Sequence, residues 1–241
     1  MVDKDLKFLD ECNDEQLKLL ADFIIYDSDN KKRWTEELST RKDFMINYQN
    51  NNLVKCVPDI IDELQRFGGN TFRNVIRGHG VSYREILEKV CNQLKVNYNK
   101  SIETPLLEHY LLQKILLMSI DQMTEEDVQH LSKHYTKDML KKQIGLLKAG
   151  SPLFIKLITM IIANLAKKWG LKQAANLATR FAGSKAFTAF AGPIGWVLSC
   201  LWTVYDIAGP AYRVMIPCTI TIAYLRIVSE KTEDELNEIL K

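Results

Sequence analysis

Apolar residues along this chain recur at spacings of three and four, and runs that alternate with period two are few. Leu17, Leu20 and Ile24 share one face after Asn13, which forms a capping-box pattern with Gln16. Asp27–Arg33 reads as a charged loop, with short helices around Glu36–Gln49 that end at Asn50-Asn51-Asn52. Pro58 suits the first turn of a helix that stops at Gly68-Gly69. Ser82 and Glu85 have capping-box spacing, and Val81 and Ile86 stand at the two positions of a hydrophobic staple. Ile86, Val90 and Leu94 continue that stripe. Thr104-Pro105 opens a helix to about Met118, with Leu106, Leu107, Leu111, Ile115 and Met118 inward. Thr124, followed by three acids, caps the next helix. Thr136 starts another that ends near Gly150, and Ser151-Pro152 repeats the cap-plus-proline signature. The pattern predicts an all-α fold: a multi-helix bundle.

After Gly150 the pattern changes. Leu153–Leu165 is apolar on nearly all sides except Lys156. Leu171, Ala174, Ala175, Ala178 and Phe181 form a small-residue stripe opposite Lys172, Asn176 and Arg180. Ala186–Tyr205 carries no charge, yet Gly192-Pro193 breaks it early, and Asp206 sits in its last turn. A helix from Ile194 to Ala208 spans roughly 20 Å, too short to cross a bilayer alone. Gly209-Pro210 stops it, and Pro217 kinks or restarts Tyr212–Val228. Three arrangements are open for this apolar C-terminal hairpin. In one it is buried in the bundle, with Asp206 and Arg213 as a structural pair. In another it is a re-entrant or amphipathic membrane element, and in the third a full transmembrane span. The expected regions are 1–40 (short N-terminal helical domain), 41–150 (central helical domain), 151–228 (basic and apolar hairpin region) and 229–241 (acidic tail). The tail reads as a short solvated helix capped by Thr232.

Charge sharpens the contrast. Residues 1–150 hold 22 basic and 24 acidic residues. Between Ser151 and Val228 stand eight basic residues and one acid, Asp206. Lys156, Lys167, Lys168, Lys172, Arg180 and Lys185, with Trp196 and Trp202, are the expected partner- or membrane-binding residues, because cations and tryptophans favour an anionic bilayer surface. A second candidate partner site is Gly68, Gly69, Asn70, Arg73 and Arg77, two cations after a glycine turn; its plain reading is a helix–turn–helix corner.

Catalytic chemistry has thinner support. Glu126, His130 and His134 have i, i+4, i+8 spacing, the one pattern that suggests a metal, but there is no HExxH and no second Glu-x-x-His helix. His79 lies between two glycines in a pattern that is neither a Walker nor a dinucleotide loop. There is no GxSxG elbow. Aromatics are not interleaved with a basic stripe, so no nucleic acid is expected. The five cysteines lack CxxC spacing and read as reduced, mostly buried thiols. The charged start points to a cytoplasmic chain. No cofactor is implied.

Several strings resemble the YaaW-like bacterial family over nearly the whole chain. They are Asp5-Leu6-Lys7-Phe8-Leu9, Thr35-Glu36-Glu37-Leu38, Phe67-Gly68-Gly69-Asn70-Thr71, Gly80–Leu87, Ala191–Trp196 and Asp206–Arg213. That family is described as similar to the ubiquinol–cytochrome c chaperone, a helical assembly factor. The resemblance implies a helical fold and a binding role, and it carries over no catalytic residue. The leading expectation is a non-enzymatic chaperone-like or adaptor protein that meets a protein partner, peripherally on the inner membrane. The alternatives are a membrane-permeabilising effector whose hairpin inserts and a metal-dependent enzyme.

Overall fold

The computed structural model describes residues 3–69, 80–131, 136–180 and 209–240. Among these lie eleven α-helices and no strand. A 3-10 helix, Lys4–Glu11, leads into α1 (Asp14–Ile25). The Asn13–Gln16 capping box is complete: Gln16 N–H donates to Asn13, and Asn13 N–H donates to Gln16, each at 2.9 Å. Then come α2 (Lys42–Gln49), α3 (Val57–Gly68), α4 (Tyr83–Gln93) and α5 (Thr104–Gln122). Ser82 accepts from Glu85 N–H at 3.3 Å to start α4, and Val81 and Ile86 are both buried beside it. α6 (Glu125–Leu131) and α7 (Lys137–Leu146) are short.

α8 (Pro152–Lys168) is buried on most sides, as its composition requires. Ser151, expected to cap it, makes no capping bond; its hydroxyl is buried without a partner, and the start rests on Pro152 alone. α9 (Gln173–Thr179) departs from the alanine stripe: it buries Gln173 and Leu177 and exposes Ala175. Alanines offer little area to bury, and a 2.8 Å hydrogen bond from Gln173 to buried Asp22 sets the rotation instead.

α10 (Tyr212–Ser229) is the axis of the bundle. Thirteen of its residues are buried, and it packs on α1, α3, α4, α5, α8 and the N-terminal 3-10 helix. This is the second arm of the expected hairpin; the first arm, 194–208 with Asp206, lies outside the described residues. Pro217 sits inside α10 and removes the N–H that would serve the Arg213 carbonyl. The Arg33 guanidinium donates to that carbonyl at 3.4 Å, a contact 180 residues long in sequence. α11 (Glu233–Leu240) is not the free solvated helix expected of an acidic tail. Leu236 and Leu240 are buried, and the helix packs on α8, because its acids occupy one face and its leucines the other. A single apolar cluster runs from Leu6 to Leu240.

Candidate functional site

The chain turns tightly after α1. The Asp27 carboxylate accepts from the N–H groups of Asp29 (3.0 Å) and Lys31 (2.8 Å), Asn30 takes a positive φ of 57°, and Arg33 N–H returns to the Ile25 carbonyl at 2.8 Å. The turn leaves Lys31, Lys32 and Trp34 outward, and Trp34 is 93% exposed. The end of α8 lies against it. There Gly170 N–H bonds the Lys167 carbonyl and Leu171 N–H bonds the Ala166 carbonyl, a Schellman motif with Gly170 at φ +65. A Cβ on Gly170 would lie 3.3 Å from the Asn30 side chain, which measures how closely the two turns abut. Lys167 and Lys168 occupy the last turn of α8, where cations favour the helix dipole, and both are exposed; so is Lys172 just beyond. Trp169 between them is buried, edge-on to Phe23 at 5.3 Å.

Two abutting turns at one end of the bundle therefore carry Lys31, Lys32 and the exposed Trp34 on one side and Lys167, Lys168 and Lys172 on the other. Among the described residues of the first turn, Asp27 is occupied by its own backbone, Asp29 is exposed, and Glu36 is buried and lies 3.9 Å from Lys32. The basic residues grouped by sequence divide here. Lys156 is half-buried in the first half of α8, and Arg180 sits at the far end of α9, 3.4 Å from Glu233. Arg213 is exposed at the start of α10. Lys185, Trp196, Trp202, Asp206, Asn70, Arg73 and Arg77 lie outside the described residues. Gly68 closes α3 with a packing role: a Cβ there would come within 2.4 Å of Ile86.

Lys31, Lys32 and Trp34 lie outside the basic segment that the sequence pattern singles out. The available signal was a bulky aromatic directly after three cations and outside any apolar stripe.

Deeper in the bundle is a polar knot that periodicity also missed. Glu108, 2% exposed, accepts from Arg226 Nε (2.5 Å), Arg226 Nη2 (3.1 Å) and Tyr83 Oη (2.8 Å). Arg226 also donates to the Asp5 carbonyl at 2.5 Å and lies 4.1 Å from the Phe8 ring centre. Burial pushes the Glu108 carboxyl up, while Arg226 and Tyr83 draw it back. Burial and neighbouring Glu108 hold the Tyr83 phenol well above its ordinary range. All four partners are satisfied within the protein, so the knot ties the N-terminal segment, α4, α5 and α10 together. Asp22 is a second such point: buried, it accepts from Tyr48 at 2.5 Å and from Gln173 at 2.8 Å.

The metal candidates do not gather. Glu126 is exposed on α6; the His130 side chain and all of His134 lie outside the described residues. His109 is half-buried, its ring 4.9 Å from that of Phe154 and tilted to it by 46°. Among the described residues no group of three His, Cys, Asp or Glu side chains is placed to hold a metal. Cys12, Cys56, Cys91 and Cys218 are free and buried, and burial raises every one of these thiols, Cys12 and Cys91 to about 12. Among the described residues no helix is long and apolar enough to cross a membrane.

Fold and site together define an all-helical bundle protein with a cationic, tryptophan-tipped end. Residues 2–34 match a domain of unknown function, DUF3944. Along almost its whole length the chain is similar to a UPF0174 protein of Helicobacter pylori strain J99, 34% identical over 97% of this chain and 94% of the relative. UPF0174 protein YaaW of Escherichia coli K12 is 29% identical over 96% and 97% of the two chains. A UPF0174 protein of Helicobacter pylori strain 26695 is 34% identical over 70% of this chain and 86% of its own. The chain belongs to the UPF0174, or YaaW-like, family. No solved structure matches it.

Proposed function

We propose that this protein is a non-enzymatic adaptor, chaperone-like in manner, that rests on an anionic membrane surface by its cationic end and holds a protein partner there. The observation that carries the reading is Trp34, 93% exposed beside Lys31 and Lys32 on a turn packed against the end of α8. An indole is costly to leave in water and favours the bilayer interface. Each lysine near an anionic bilayer adds about 1 kcal/mol, screened as salt rises. Five lysines at one end give an orientation as well as an affinity, with the axis helix α10 kept inside the bundle.

The test is co-sedimentation with vesicles that contain or lack phosphatidylglycerol, at low and high salt. The expected result is salt-sensitive binding to the anionic vesicles, with a blue shift of tryptophan emission that Trp34→Phe removes. Lys167→Glu with Lys168→Glu should weaken binding by at least about thirtyfold, the loss of two such contacts. Absence of binding, or binding indifferent to all three substitutions, overturns the proposal. Release of trapped dye at the same protein concentrations would replace it with the permeabilising reading.

A further inference from the structure

Along the first half of α1 the bundle has a groove between α1, α9 and α10, and the first turn of α11 lies across it. Leu19, Leu177, Tyr224, Leu225 and Leu236 line a cleft of about 30 Å³ there. Gln173 reaches the same cleft and is 5% exposed. Its amide nitrogen donates to Asp22 at 2.8 Å, which fixes the amide's orientation, and its carbonyl oxygen is buried with no hydrogen-bond partner. A buried acceptor left unpaired is unfavourable, so the seat under α11 is imperfectly filled.

α11 is also lightly held. It has two buried side chains, Leu236 and Leu240, against thirteen on α10. Its one ion pair to the bundle among the described residues joins Arg180 to a Glu233 whose side chain is 58% exposed. It starts with its own Thr232–Glu235 capping box, so its first turn carries its own cap. Its charged residues are all acidic: Glu233, Asp234, Glu235 and Glu238.

We propose that this groove is an interaction surface for an acidic amphipathic helix of a partner protein, and that α11 is the internal occupant such a helix displaces. α11 shows the chemistry that fits: Leu236 in the cleft, Leu240 buried one turn beyond it, and the Glu233 carboxylate on Arg180. A partner helix that adds a hydrogen-bond donor facing Gln173 completes what α11 leaves open, which is how it competes with a tethered segment. The surface is distinct from the membrane-facing one, because neither Trp34 nor any of the five lysines lines it.

The test uses the full chain and a fluorescein-labelled peptide of residues 230–240 as the probe. Leu236→Ser with Leu240→Ser should release α11 and leave the rest folded. The released variant should bind the peptide at least tenfold more tightly than the native chain, whose own α11 occupies the groove. Arg180→Glu in the released variant should weaken that binding at least fivefold. Hydrogen exchange on the native chain should show α11 amides at least a hundredfold less protected than those of α10. Four results would each overturn the proposal: a folded released variant that ignores the peptide, equal binding by both chains, collapse of the variant's helical signal, or equal protection of α11 and α10. A released variant that dimerises by exchanging segments and leaves the peptide unbound does so too.

Discussion

Replacing Arg226 by methionine isolates the value of the buried knot. Methionine keeps much of the aliphatic length but removes both donors to Glu108 and the donor to the Asp5 carbonyl. Glu108 then stays 2% exposed with Tyr83 as its one remaining donor. Breaking a buried pair this way costs about 3–5 kcal/mol. The carboxyl has an escape, since it can take a proton. Neutralising a glutamate of ordinary pKa at pH 7 costs about 3.7 kcal/mol, and at pH 5 about 1 kcal/mol. The lost Asp5 bond adds about 1 kcal/mol. The sign follows: the unpaired Glu108 has a folded pKa above its unfolded one, so the folded variant gains protons, and its deficit shrinks as pH falls. Urea unfolding followed by helical circular dichroism should give a loss of about 3–5 kcal/mol at pH 7, narrowing by about 2–3 kcal/mol at pH 5. A second substitution, Glu108→Leu, should restore part of the loss at pH 7 and remove its pH dependence. A loss below about 1 kcal/mol at pH 7, or a deficit that does not change with pH, would refute the assignment of this pair as the tie between Asp5, α5 and α10.

Gly80→Ala should destabilise by about 2–3 kcal/mol, because a Cβ there falls 2.5 Å from the Gln65 backbone carbon, which cannot yield as a side-chain tip would; thermal unfolding reads it directly. Asn13→Ala opens the capping box of α1 and should cost about 1 kcal/mol by urea titration. In a Cys200→Ser background, Ellman's reagent should label Cys12, Cys56, Cys91 and Cys218 only as the chain unfolds, since burial both shields these thiols and keeps them protonated; a fast-reacting native thiol among the four would contradict their burial.

Helix existence was legible because its causes are local. Asn13 and Gln16, Ser82 and Glu85, and Pro105 and Pro152 act within one turn of their own backbone, so the spacing of residue types carries the information. The near-uniform apolarity of α8 and α10 was visible too, but it left open whether the C-terminal hairpin is buried in the bundle or meets a membrane. Rotation and pairing were not legible. α9 turned on a Gln173–Asp22 bond between residues 151 apart, which outweighed an alanine stripe of small area. Glu108 stood as a charge within the inward Leu107–Leu111–Ile115 register, a visible oddity, but its partner Arg226 is 118 residues away. The cationic end was half visible as Lys167, Lys168 and Lys172. Only the abutment of Gly170 and Asn30 brought Lys31, Lys32 and Trp34 beside them, and separated Lys156 and Arg180. What this sequence determined by itself is where most helices start and stop, because those are nearest-neighbour energies. Which charges meet, and on which end of the bundle, was decided by the tertiary structure, because contacts between distant residues exist only once the packing has set their distance.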